Sequence, residues 1–383
     1  MAHLRKLGQK KYKIIIELGR NPATGKRKRK TKTVNGTKKE AQKIMAKLIH
    51  EMETGTYVEP SKMTTAELLQ KWLKEYCKPN LAPSSYANYR EIIERHFIPE
   101  LGSIQLKNLK PMHIQSYQSK KLTTGRQDGK PGGLSKTTVE KHNRILSQAL
   151  KYAVKLQIIK SNPADPIKAP SPEEPEIKYL NKEQVNKVLK ETKDKWIYNF
   201  IYISVNTGMR RGEMLGLRWK DIDLNKKTIQ VRQISQRIRN EGIIFKKPKT
   251  KSSERLISIS NNVVKAIKKI KREQSENKLL LGPNYYTKQN LVFCNEDGSP
   301  ANPQGVTRRF KRVAKRAGFK DIRLHDLRHT HATLLLQEGV HPKVVQERLG
   351  HSSITQTLDT YSHVIPSLQQ EAADKLEGLI EEN

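Results

Sequence analysis

Cysteine is almost absent from this chain of 383 residues: Cys77 and Cys294 stand alone and far apart. Two isolated thiols exclude a disulfide framework and a cysteine-built zinc site. Long apolar runs are absent too, since none approaches the ~18–20 residues that a membrane-crossing helix needs. Met1–Lys11 lacks the apolar stretch of a secretory leader, so a cytoplasmic location is expected. Acidic residues are scarce beside basic ones, 38 Asp+Glu against 74 Lys+Arg, a formal net charge of +36. That imbalance calls for a polyanionic partner, nucleic acid ahead of a membrane surface, and for affinity that falls steeply with salt. The length implies two or three domains, with ample material for buried cores.

The expected architecture is multidomain and mainly α with small β-sheets. Residues 1–57 read as a basic unit: a strand over Lys11–Leu18, a turn over Asn21–Gly25 and a second strand over Lys26–Val34. Thr37 with Glu40 forms a capping box that opens a helix reaching about Glu53. Lys26, Arg27, Lys28, Arg29, Lys30 and Lys32 along the second strand are the candidate DNA contacts of this unit. Residues 63–165 carry four helical patterns, over Ala66–Tyr76, Tyr86–Phe97, His113–Leu122 and from Ser135 to about Leu156. They predict a bundle whose basic face cups a duplex. Ser161–Pro175 holds five prolines and marks the clearest boundary. Beyond it, 176–383 begins with helices. Three short strands follow, over Asp221–Gln233, Gly242–Lys247 and Arg255–Ser260, and then more helices. Pro366–Asn383 reads as an acidic amphipathic tail helix, able to dock on its own or a neighbouring subunit.

Chemistry concentrates in a run near the C-terminus. His325 and Arg328 are three apart and share a helix face. Gly350 reads as a helix stop and Ser352 or Ser353 as a new start, so His351 sits at the joint, with Tyr361 ten residues on. Upstream, Arg210 lies at a turn into a helix in TGMRRGE. Lys249 lies in KKPKTKSSER at a predicted hairpin tip, with Lys251 as the alternative lysine. A phosphodiester can be attacked without metal by such a set. Two guanidiniums grip nonbridging oxygens, a histidine accepts a proton, a lysine protonates the leaving oxygen and a tyrosine is the nucleophile. His325 and His329, four apart, mimic a helical metal pair, but the glutamate of that zinc motif is missing.

At these residues the chain resembles the tyrosine recombinases, the integrase family of phages and integrative elements. The family's order of Arg, Lys, His-x-x-Arg, His or Trp, and Tyr is met by Arg210, Lys249, His325 with Arg328, His351 and Tyr361. The resemblance implies an arm-site DNA-binding domain at 1–57, a core-binding, SAM-like helical domain at 63–165 and an α+β catalytic domain at 176–383. It implies that Tyr361 attacks the scissile phosphate to form a 3′-phosphotyrosine, that Arg210 and Arg328 bind the phosphate, that His325 accepts a proton, that Lys249 is the general acid and that His351 orients the phosphate. No metal or ATP would be required. The implied partners are duplex DNA at core and arm sites, a homotetramer on that DNA, a DNA-bending host factor and an excision or directionality factor. A DNA-binding regulator and a type IB topoisomerase are the alternatives.

Overall fold

The computed structural model describes residues 2–20, 25, 27–54, 57–59, 61–172, 176–238, 241–248, 251–361 and 376, with the backbone alone at 18–20, 28, 251, 356 and 359–361. The chain divides into two units, residues 1–173 and 174–383.

The first unit opens with an antiparallel sheet in the order β1 (Ala2–Gly8), β2 (Lys11–Arg20), β3 (Arg27–Asn35). The hairpin expected from the sequence is therefore one strand short. β1 carries few apolar residues, and its AHLRKLG reads by itself as a basic tail. Strand alternation sorts the side chains: Ile14, Ile16 and Val34 are buried against Leu48 of helix α1 (Lys38–Glu53). The Thr37–Glu40 capping box is present, with the Glu40 N–H on Thr37 Oγ1 at 3.3 Å and the Thr37 N–H on Glu40 Oε2 at 2.7 Å.

The helical part of this unit has its own core, centred on Leu68, Leu69, Trp72, Ile93, Phe97, Ile114, Ile145 and Leu150. Its helices are α2 (Thr65–Trp72), α3 (Lys78–Asn80), α4 (Pro83–Ile92), α5 (Ile98–Leu101), α6 (Pro111–Thr124) and α7 (Lys136–Lys155). Two of the expected helices are not uniform. α2 passes into α3 through a π-turn at Leu73–Cys77, and α4 into α5 through another at Ile93–Phe97. In each case a proline, Pro79 or Pro99, follows directly. A proline ring clashes with the carbonyl four residues back and cannot donate to it, and a widened i→i+5 turn relieves both problems.

The second unit contains α8 (Lys182–Lys190), α9 (Lys195–Thr207) and α10 (Arg211–Gly216), followed among the described residues by five strands. β4 (Ile222–Asp223), β5 (Thr228–Val231) and β8 (Arg255–Ser258) form one antiparallel sheet, and β6 (Ile234–Ile238) and β7 (Gly242–Lys246) form another. The single strand expected over Asp221–Gln233 is thus broken. A turn with Lys227 at φ 53° separates β4 from β5. The hairpin expected around Lys249 is also replaced. β7 pairs with β6 and β8 with β5, so the segment after β7 crosses between sheets. Lys249 itself lies outside the described residues.

Helices α11 (Asn261–Leu281), α12 (Pro303–Arg316), α13 (Asp326–Gln337), α14 (Pro342–Leu349) and α15 (Ile354–Tyr361) complete the unit. Phe200, Phe293, Phe310, Ile257 and Leu327 belong to its main core, which joins α9, the first of these sheets, α11, α12 and α13. The tail helix expected over Pro366–Asn383 lies outside the described residues, apart from Leu376. Among the described residues, no helix is long and apolar enough to cross a membrane.

Candidate functional site

α9 ends on Gly208, which adopts φ 64°. A side chain there would be strained, and its Cβ would lie 2.5 Å from His331 Cδ2. The turn delivers Arg210 to the N-cap of α10. Glu213, one turn on and 2% exposed, accepts from the Arg210 backbone N–H at 2.9 Å and from its Nη1 at 2.9 Å. The same carboxylate accepts from Arg255 Nη2 of β8 at 2.8 Å.

His325 caps α13 and Arg328 lies in its first turn. The buried Arg328 guanidinium spans two loops, Nη1 donating to Gly208 O at 2.8 Å and Nη2 to Leu349 O at 2.6 Å. Gly208 is two residues before Arg210, and Leu349 two before His351. One side chain therefore fastens both turns to α13. α14 stops at Gly350, φ 67°, as a left-handed C-cap. Next, His351 is held by Gln346, whose Nε2 donates to the His351 carbonyl at 2.5 Å and whose own carbonyl accepts the His351 N–H at 3.2 Å. The His351 ring pairs through Nδ1 with Thr357 Oγ1 of α15 at 2.9 Å. Thr357 is fully buried and sits one turn before Tyr361.

The cluster is electropositive, and burial and the neighbouring cations disfavour protonation of its histidines. Burial, then the charges of Arg328 and Arg210, push His351 down to about 3. His325 is lowered by burial and by Arg328, with Arg210 and Arg323 adding to the effect. His329 falls to about 4, through burial and His325. Glu213 responds oppositely. Burial raises its carboxyl, but Arg255 and Arg210 outweigh burial and hold it below its ordinary range.

The structure thus gathers Arg210, His325, Arg328 and His351, and ends α15 at Tyr361. His325 and His329 meet edge to face, ring centroids 5.3 Å apart. Among the described residues, no group of three or more His, Cys, Asp or Glu could hold a metal ion. A cavity of about 960 Å³ lies elsewhere, lined by Asp194, Glu273, Gln274, Cys294, Asp297 and Arg309. Glu213, Arg255 and Thr357 were missed by sequence reasoning. Only Glu213 left a signal, as an acidic residue three places after the Arg210 N-cap position.

The basic strand is divided between faces. Lys30 and Lys32 pair with Ile16 and Ile14 and share the α1 side of the sheet. Lys30 lies 4.0 Å from the Tyr57 ring centroid and 3.3 Å from Glu59. Arg29 pairs across from Glu17 on the open face, where Arg5 and Lys13 also stand opposite one another. Alternation puts Arg27 on this face as well. Lys26 and the Lys28 side chain lie outside the described residues.

Comparison with known proteins supplies the context. Residues 178–367 match the Phage integrase family, and residues 64–122 match Phage integrase, N-terminal SAM-like domain. The chain is 30% identical over 392 residues to the Tyrosine recombinase XerC-like protein of Caldanaerobacter subterraneus, covering 98% of this chain and 97% of that one. It is 31% identical over 381 residues to the ICEBs1 integrase of Bacillus subtilis, covering 98% and 100%. Among solved structures, the Tn1549 transposon integrase in complex with a circular intermediate DNA superposes with a TM-score of 0.68 at 24% identity, over 82% of this chain and 99% of that one.

Proposed function

Because the chain belongs to the phage integrase family of tyrosine recombinases, we propose that the cluster around Arg328 holds a scissile DNA phosphate for attack by Tyr361. The observation that carries this reading is the Arg328 guanidinium itself. By binding Gly208 O and Leu349 O it draws the Arg210 and His351 turns onto α13.

Arg210 and Arg328 stabilise the charge that grows on the nonbridging oxygens as the phosphorus becomes five-coordinate. A phenol with an ordinary pKa of about 10 needs its proton removed. His325 accepts it as the Tyr361 Oη–P bond forms. Lys249, or Lys251, gives a proton to the departing 5′-oxygen as the P–O5′ bond breaks. His351, neutral and fixed by Thr357, donates a hydrogen bond to the phosphate. The product is a 3′-phosphotyrosine with a free 5′-hydroxyl. Attack by a 5′-hydroxyl from a second duplex reverses the step and exchanges strands through a Holliday junction. Bond energy is kept in the phosphotyrosine, so the cycle consumes neither ATP nor a metal ion.

Exchange between two duplexes needs four active sites, hence a homotetramer on DNA. One relative in fold, the lambda integrase, is solved as a tetramer bound to a Holliday junction, TM-score 0.58 and 18% identity over 91% of this chain and 92% of that one. The helical part of residues 63–165 grips the core site. The open face of the N-terminal sheet, with Arg5, Lys13, Arg27 and Arg29, reads the arm sites. A DNA-bending host factor and a directionality factor act with the enzyme, which works on DNA in the bacterial cytoplasm. The test is a plasmid carrying two copies of the element's attachment site. Recombinant circles are expected, whereas relaxed plasmid without recombinants would indicate a topoisomerase, and binding without either product a regulator.

A further inference from the structure

Arg255 belongs to none of the six motif positions, yet its side chain meets three of the segments that carry them. Nη2 donates to Glu213 Oε2 at 2.8 Å, beside Arg210. Nε donates to Arg348 O at 2.6 Å, in the last turn before His351. Nη1 donates to Ser253 O at 3.3 Å, in the turn that follows the lysine segment. The packing is close: a Cβ on Gly350 would lie 2.8 Å from Ser252 O and 3.0 Å from Arg255 Cδ. Arg255 is only 9% exposed.

From these contacts we infer that Arg255 is a positioning residue: it aims the Arg210 guanidinium through Glu213 and sets the Ser253 turn and the His351 turn in register with it. The inference rests on Arg210 and His351 acting at the phosphate, as proposed above. Glu213 is shared by Arg210 and Arg255. Without Arg255 the carboxylate answers to Arg210 alone, and one arm of the fork that holds the Arg210 side chain is no longer fixed. β8 then also loses one of its ties to the end of α14, and keeps the bond from Arg348 Nη1 to Ser258 O. A lysine could keep the charge at this position but could not reach three acceptors in one plane. Other charged or titratable groups around the pair are Arg348 of α14, His331 and Arg328 of α13, and His351; Arg255 depresses Arg348, His331 and His351 in turn.

The experiment measures the rate of covalent adduct formation on a nicked suicide duplex of the attachment site, as a function of pH, with duplex binding and thermal melting recorded in parallel. Variants are Arg255→Met, Arg255→Lys, Glu213→Gln and the double variant Arg255→Met/Glu213→Gln. Misplacing a catalytic group by about 1 Å costs on the order of 100-fold, so Arg255→Met is expected to lose roughly that factor with duplex binding within about threefold of wild type. Arg255→Lys should fall between the two. The acid limb of the rate profile should move to higher pH in Arg255→Met, because buried Glu213 then protonates more easily. In the double variant the limb should return to the position set by His325, because no carboxyl remains at position 213 to titrate. A purely structural Arg255 would lower the rate without moving the limb. If Arg255→Met melts too low to assay, the comparison is made with Arg255→Lys, which retains the buried charge and should lose adduct rate through misplacement alone, with melting and duplex binding near wild type. An active wild type with an unshifted acid limb in Arg255→Met, or with an Arg255→Lys adduct rate equal to wild type, would overturn the inference alone. A wild type that forms no adduct would overturn the underlying reading, and this inference with it.

Discussion

Replacing Arg328 by lysine keeps the charge but removes the fork that joins two loops. In the wild type, Nη1 and Nη2 satisfy Gly208 O and Leu349 O at 2.8 and 2.6 Å. A single ammonium can serve one of these carbonyls in good geometry, so at least one charge-assisted hydrogen bond is lost. Such a bond contributes about 1.5–3 kcal/mol, and a buried carbonyl left alone adds to the loss. In a domain the size of residues 174–383, each kcal/mol lowers the melting temperature by about 2–4 °C, so Arg328→Lys should melt roughly 3–12 °C below wild type. The chemical penalty should be larger, because Arg210 and His351 lose their common anchor together with one of the two guanidiniums proposed to bind the phosphate. Suicide-duplex adduct formation should fall by on the order of 100-fold or more, with duplex binding nearly unchanged. Calorimetry and a denaturing gel of the trapped adduct give the two numbers. An Arg328→Lys protein with wild-type melting and an adduct rate within a few-fold of wild type would refute the idea that this side chain organises the site.

Other outcomes follow from the same contacts. Thr357→Val, nearly isosteric, removes the 2.9 Å bond to His351 Nδ1, and the adduct rate should fall by about tenfold, or ~1.4 kcal/mol of barrier; an unchanged rate would show that this bond does not hold the ring for catalysis. Acid should unfold both units. Burial pushes His142 in the helical bundle and His331 in α13 down to about 3, whereas their ordinary value in an unfolded chain is about 6.5. The unfolded state then binds more protons, so stability is complete above about pH 6.5 and falls towards pH 3, by up to about 1.4 kcal/mol per pH unit for each histidine. Melting curves at pH 7.5, 6 and 5 check this, and a constant midpoint would contradict it. Deleting residues 1–57, or replacing Arg5, Lys13 and Arg29 by alanine, should abolish arm-site binding in a gel-shift assay while sparing cleavage at the core site. Arm-site binding that survives either change would move that function away from the sheet.

Much of the candidate site's placement was legible because its motif residues stand in short local runs. HDLR, LGH and LDTY each place a motif residue at a helix boundary that its neighbours predict. Gly350 was readable as a stop because a left-handed C-cap favours glycine, and Thr37 as a start because its partner Glu40 follows at the right spacing. What remained hidden depends on distant partners. Nothing near Arg328 announces that it will bind carbonyls 120 and 21 residues away. Arg255 looked like an ordinary strand residue. Sheet pairing was misread for a similar reason: β8 bonds to β5 across an inserted hairpin, and neither run says which partner it will take. β1 was overlooked because it earns its place by pairing with β2 and not by its own hydrophobicity. The π-turns could have been anticipated from Pro79 and Pro99, each following an apolar helical run that does not stop there.

The central claim is that Tyr361 carries the DNA during strand exchange. The direct measurement is mass spectrometry of the protein trapped on a nicked attachment-site duplex, after nuclease and protease digestion. A nucleotide should be found on the peptide containing Tyr361, linked through its 3′-phosphate. Tyr361→Phe should give no adduct while binding the duplex within a few-fold of wild type. A nucleotide mapped to any other residue, or an adduct that persists in Tyr361→Phe, would contradict the account.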